Sequence, residues 1–120
     1  MELSKVCQLF AAFTGMTAEE ALEQLDLIRL SIAEVESSLK PGIDPKEHAH
    51  VLSYAAAAAA FYRYSVIAAN TGGIQSIRSG ETTIGADPAA AVEIAAAIRD
   101  EFLALAAPLL TDRRFGFQAV

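Results

Sequence analysis

The sequence predicts a mainly α-helical protein: a bundle of about four helices with a small β-hairpin and an extended C-terminal tail. Three observations predict it. The stretch Pro45–Asn70 has no internal proline or glycine and contains the run Ala55–Ala60, the residue type that loses least on entering a helix. Apolar residues recur at three- and four-residue spacing on both sides of that stretch. Proline and glycine clusters fall between the periodic segments, where helices stop.

The elements follow in order. Over 3–14, Leu3, Val6, Leu9, Phe10 and Phe13 share one face, with Ser4 placed to cap the helix and Gly15 to end it. Thr17-Ala18-Glu19-Glu20 is a capping box, and it opens a helix over 17–40 whose stripe runs through Ala21, Leu22, Leu25, Ile28, Ile32, Val35 and Leu39. Pro41 and Gly42 end it, and the tight turn to Pro45 makes the next helix an antiparallel neighbour. That helix, over 44–70, has Asp44 as cap, Pro45 at its first position and Glu47 at capping-box spacing; Asn70, Gly72 and Gly73 mark its end. Its alanines are apolar on every side and let neighbours come close, which places it in the middle of the bundle. Over 74–84, two short β runs surround Ser79-Gly80 and read as a hairpin. Asp87-Pro88 repeats the cap-plus-proline start of a last helix over 87–107, with Val92, Ala95, Ala96, Ile98, Phe102, Leu105 and Ala106 on its apolar stripe and Glu93, Arg99, Asp100 and Glu101 mostly away from it. Pro108 ends or kinks that helix. The tail, 111–120, alternates Phe115, Phe117 and Ala119 with Gly116 and Gln118 in an extended pattern. Such a tail either folds back on its own bundle or acts as an arm that adds a strand to a partner.

Composition narrows the function. At 120 residues the chain forms one domain, and 53% hydrophobic with 20% charged residues is the balance of a folded globular protein. The formal net charge of -6 repels phosphate backbones, whereas a free-standing nucleic-acid-binding domain is basic. One cysteine, Cys7, excludes an internal disulfide framework and a multi-cysteine zinc site; among Val6, Leu9 and Phe10 it reads as a small, buried, inert side chain. The first residues lack the pattern of a secretory leader, so the expected site of synthesis and residence is the cytoplasm. His48, His50 and Arg63 interrupt the Ala-rich helix and argue against a membrane span, which needs roughly 20 apolar residues.

The residue types suited to chemistry read more simply as structure. Glu19, Glu23 and Asp26 crowd the first turns of a helix, where its dipole favours negative charge, and no further ligand lies at useful spacing. His48 and His50 sit two apart, on different faces, and cannot chelate one ion together. Tyr62, Arg63 and Tyr64 read as a core edge with a snorkelling cation. The glycines around the hairpin lack the Gly-Lys-Ser/Thr ending of a phosphate loop. With no nucleophile–base pair, metal cluster, nucleotide loop or redox motif to assemble, the expectation is no enzyme and no cofactor.

An ordered set of motifs remains: Thr14-Gly15-Met16-Thr17-Ala18-Glu19-Glu20; the Ala-rich helix with Phe61-Tyr62-Arg63-Tyr64; the Ser76–Glu81 hairpin; and Ala107-Pro108-Leu109-Leu110-Thr111-Asp112 before an aromatic tail. In this order, over nearly the whole chain, the sequence resembles the small helical head–tail connector proteins of long-tailed bacteriophages and prophages, also called adaptor or head-completion proteins. Glu81 stands where the family more often has Asp. The resemblance implies a ring of about twelve copies beneath the capsid portal. The ring extends the DNA channel and receives the next neck (stopper) protein or a tail-completion protein. It implies a virion location at the capsid–tail junction after assembly in the host cytoplasm. It gives portal binding to the C-terminal arm, here Arg113, Arg114, Phe115, Phe117 and Val120. The hairpin, through Ile74, Ser76, Ile77, Arg78, Glu81 and Thr83, would face the channel or the next ring. An acidic wall suits a conduit in which DNA slides without sequence-specific binding. A cytosolic helical-bundle homodimer, acting as a regulatory or binding module, is the alternative. A small DNA-packaging (terminase) subunit ranks lower, because the helix after Pro41–Pro45 has little positive charge.

Overall fold

The computed structural model describes residues 1–71 and 88–111, which form α1 (Leu3–Thr14), α2 (Ala18–Leu22), α3 (Leu25–Ser37), α4 (Ala49–Thr71) and α5 (Pro88–Ala106), followed by a 3-10 turn, Ala107–Leu109. The predicted hairpin, 74–84, and the arm from Asp112 onward lie outside the described residues.

The Ala-rich helix is the hub. Ala55 to Ala60 are all buried, and six successive residues cover every direction around a helix, so α4 is enclosed through its middle. The helices α1, α3 and α5 all pack against it. Methyl side chains let these axes approach closely, and the larger residues fill the ends of the hub. Phe13 of α1 stacks on Phe61 with ring centres 5.8 Å apart, and Tyr54 stacks on Phe102 of α5 at 5.0 Å. Phe10 meets Tyr64 edge-on at 6.0 Å.

The first helix matches its predicted bounds. It buries Val6, Leu9 and Phe10 and stops at Gly15, whose φ of 78° is the left-handed geometry a helix stop requires. Its start differs from expectation: Ser4 lies inside the helix, and Glu2 holds the cap position without a side-chain bond.

The predicted helix over 17–40 is two helices. Its opening is as expected, with Glu20 N–H donating to Thr17 Oγ1 at 3.1 Å and Thr17 N–H donating to Glu20 Oε1 at 2.9 Å. After one turn, Glu23 N–H bonds to Glu20 O and Gln24 N–H to Ala21 O, three-residue bonds that tighten and end α2. A new helix restarts from Gln24 O. The break lets Ala21 pack by α1 while Ile28 and Val35 bury with α4, and it leaves Leu22 58% exposed. The second helix, α3, ends at Ser37, before Pro41 and Gly42, because residues 38–40 are taken by a pairing with the C-terminal chain.

The hub helix also starts later than predicted. Asp44 does not cap it: Asp44 Oδ1 accepts from Lys46 N–H at 2.9 Å, a local turn that satisfies the carboxylate two residues on. The chain from Pro45 to His48 is turn, and α4 begins at Ala49. At the other end it is described through Thr71, and the expected stop signals Gly72 and Gly73 lie outside the described residues. The last helix is described from Pro88 and ends at Ala106, and Pro108 lies in the 3-10 turn that follows; the predicted cap, Asp87, lies outside the described residues. Two assignments on α5 are corrected. Arg99 is buried, because its guanidinium lies over the Tyr62 ring at 4.1 Å, and Leu105 is 59% exposed.

Candidate functional site

The tetrapeptide Phe61–Tyr64 is where α4 locks to three neighbours. Phe61 and Tyr64 turn to α1, and Tyr62 receives Arg99 of α5. Arg63 reaches α3, where it donates to Ser31 Oγ at 2.9 Å and pairs with Glu34. This is the core edge with a half-buried cation that the sequence predicts, with an ion pair added. Arg99 also pairs with the adjacent Asp100 at 2.8 Å. These residues act as struts of the body.

The C-terminal chain is pinned at the start of the predicted arm, 111–120. Leu39 and Leu110 form an antiparallel bridge. Lys40 N–H donates to Leu109 O at 2.9 Å, and Thr111 N–H to Ser38 O at 2.7 Å. Thr111 Oγ1 donates to the same Ser38 carbonyl at 3.0 Å. Ala107–Thr111, one of the motifs that carries the resemblance, therefore fixes the root from which 112–120 departs. The arm residues Arg113, Arg114, Phe115, Phe117 and Val120 lie outside the described residues, as do the hairpin residues Ile74, Ser76, Ile77, Arg78, Glu81 and Thr83.

Large apolar side chains also stand on the surface of the body: Leu22, Leu30, Ile67, Ile94 and Leu105 are each at least 40% exposed. Leu105 and Leu22 were expected on buried stripes. Two grooves flank α1. One, of about 510 Å³, lies between the starts of α1 and α4 and is bordered by Lys5, Lys46, His50 and Ser53, with Glu2 at its edge. The other, of about 470 Å³, is more apolar and lies against α2 and the start of α3, where Leu3, Cys7, Ala11, Ala21 and Leu25 line it. Cys7 is half-buried, and burial pushes its thiol above the usual value while Arg29 opposes the shift. It is less enclosed than its apolar sequence neighbours suggested.

Glu19, Glu23 and Asp26 are all exposed, along α2 and the first turn of α3. Among the described residues, no three His, Cys, Asp or Glu side chains converge on a possible metal position. His50 packs edge-on against Tyr54 with ring centres 5.3 Å apart. By length and composition α4 could cross a membrane, with a mean hydropathy of 1.2, but 61% of that window is buried inside the bundle. Its apolar surface is occupied by its own neighbours.

No family model, curated protein or solved structure matches this chain.

Proposed function

We propose that this chain is a structural connector of a bacteriophage or prophage virion, without catalytic activity or cofactor. Copies form a ring of about twelve at the capsid–tail junction. The ring binds the portal above and a neck (stopper) or tail-completion protein below, and it continues the DNA channel without reading sequence or entering a membrane. Assembly takes place in the host cytoplasm.

The observation that carries this reading is the pinned root of the C-terminal arm. Six hydrogen-bonded or bridged positions, Ser38, Leu39 and Lys40 on the body and Leu109, Leu110 and Thr111 on the C-terminal chain, hold it immediately before 112–120. A fixed root lowers the ordering cost when the following segment docks on a partner. In the arm, Arg113 and Arg114 supply charge, and Phe115, Phe117 and Val120 supply alternating apolar contacts of the kind used in strand addition. The hairpin residues Ile74, Ser76, Ile77, Arg78, Glu81 and Thr83 are assigned to the channel or the next ring.

Removing Phe115–Val120 tests the arm. The truncated protein should keep its helical circular dichroism and lose binding to the portal ring encoded by the same phage. Loss of the helical signal would instead make the tail part of the body's own core.

A further inference from the structure

The chain is acidic overall, yet two of its three lysines, Lys5 and Lys46, border one groove, together with His50. Ala49 and Met1 give that groove apolar lining, and Ser53, which is 2% exposed, lines it as well. The groove also sits at the start of α4, the positive end of a helix of 23 residues. The carboxylate among its lining residues is Glu2, and Glu47, also exposed, follows Lys46 in the chain. It therefore offers an apolar slot bordered by cationic side chains.

The complement is on the other flank of α1. There Leu22, which lines the second groove, is 58% exposed, and its sequence neighbours Glu19, Glu23 and Asp26 are exposed too. The two surfaces share no residue: the cationic groove uses Met1, Glu2 and Lys5 of the N-terminal segment, and the side towards α2 uses Leu3, Cys7 and Ala11. Two different, complementary patches make a head-to-tail contact, and such contacts repeat from copy to copy until a ring closes.

We propose that the occupant of the Lys5–Lys46–His50 groove is a second copy of this chain, inserting Leu22 with Glu19, Glu23 and Asp26 around it. The proposal deepens the ring reading by naming the contact between neighbours, and it rests on that reading. The carboxylates meet the lysines that border the groove. Opposite patches of charge speed encounter and set the register, while Leu22 contributes the apolar burial.

Sedimentation equilibrium of the full chain over a range of concentration and salt tests it, using the charge reversals K5E/K46E and E19K/E23K. All four positions are exposed, so both variants should keep the wild-type circular dichroism. Wild type should self-associate, more weakly as salt rises. Each variant alone should associate at least about tenfold more weakly, and an equimolar mixture of the two should regain association, because each restores opposite charges to the other. Wild-type protein that stays monomeric at every concentration, variants that associate as wild type does, or a mixture with no recovery would each overturn the contact. Portal binding by the wild-type chain, measured separately, distinguishes the two claims. Binding without a charge-dependent self-contact leaves the connector and removes this interface; the self-contact without binding leaves the interface and removes the connector.

Discussion

Arg63 and Arg99 show how single side chains join the hub to its neighbours. Arg63 leaves α4 to bond Ser31 and Glu34 on α3, and Arg99 leaves α5 to cover the face of Tyr62. Arg63 and Glu34 are each about one quarter exposed, so removing one partner strands the other in a poorly solvated place. Arg63→Ala should therefore lower unfolding free energy by about 1–3 kcal/mol in chemical denaturation. The double variant R63A/E34A should lose less than the two single losses added together. Additive losses would show that the pair does not act as a unit. Cys7 gives a second prediction. Because burial raises its pKa, its thiolate fraction at neutral pH is lower than that of an unhindered thiol, and the reactive form appears only as pH rises further. Alkylation by iodoacetamide should be slower than for a short cysteine peptide, and its rate should level off at higher pH. Removing the opposing charge with Arg29→Ala should move that profile higher still. A profile equal to the peptide's would contradict the stated environment. The sequence showed Arg63 correctly, since a long cation between two tyrosines suits a core edge. It misplaced Arg99, because a charged residue is ordinarily assigned to the solvent face and its aromatic partner lies on another helix.

Among the elements, the enclosure of α4 is the feature most exposed to test. Alanines that are buried in every direction leave no space for a larger side chain. Ala57→Leu should cost about 1–3 kcal/mol of stability through displaced neighbours, read by thermal or denaturant unfolding. No change would mean that the hub has slack the structure does not show. This helix was legible because its signal is local: an unbroken run of the best helix former. Likewise legible were the stop at Gly15 and the Thr17 capping box, where the interacting atoms lie within a few residues. The break at Glu23–Gln24 was not. The apolar spacing runs straight through it, and the choice between one bent path and two helices is made by packing against α1 and α4. The start of α4 was misread for a different reason. Asp44 before a proline is a helix-start pattern, but the carboxylate found a nearer donor in Lys46. The pairing of 38–40 with 109–111 joins positions up to 73 residues apart, and no periodicity announces such a contact.

At the scale of the whole molecule, the body resolves into an enclosed hub, a rim with several exposed leucines and isoleucines, and a firmly rooted exit for the C-terminal chain. The groove bordered by Lys5 and Lys46 at the starts of α1 and α4 and the exposed carboxylates Glu19, Glu23 and Asp26 are unlike patches of the surface. Unlike patches suit repeated, directional assembly better than pairing of one patch with itself. The most direct test is the native mass of the portal ring encoded by the same phage or prophage, before and after mixing with this protein. The connector account predicts a ladder of added copies that stops at the portal's own symmetry and disappears when Phe115–Val120 is removed. A portal mass that does not change at micromolar protein, beside a stable dimer of the chain alone, would contradict it.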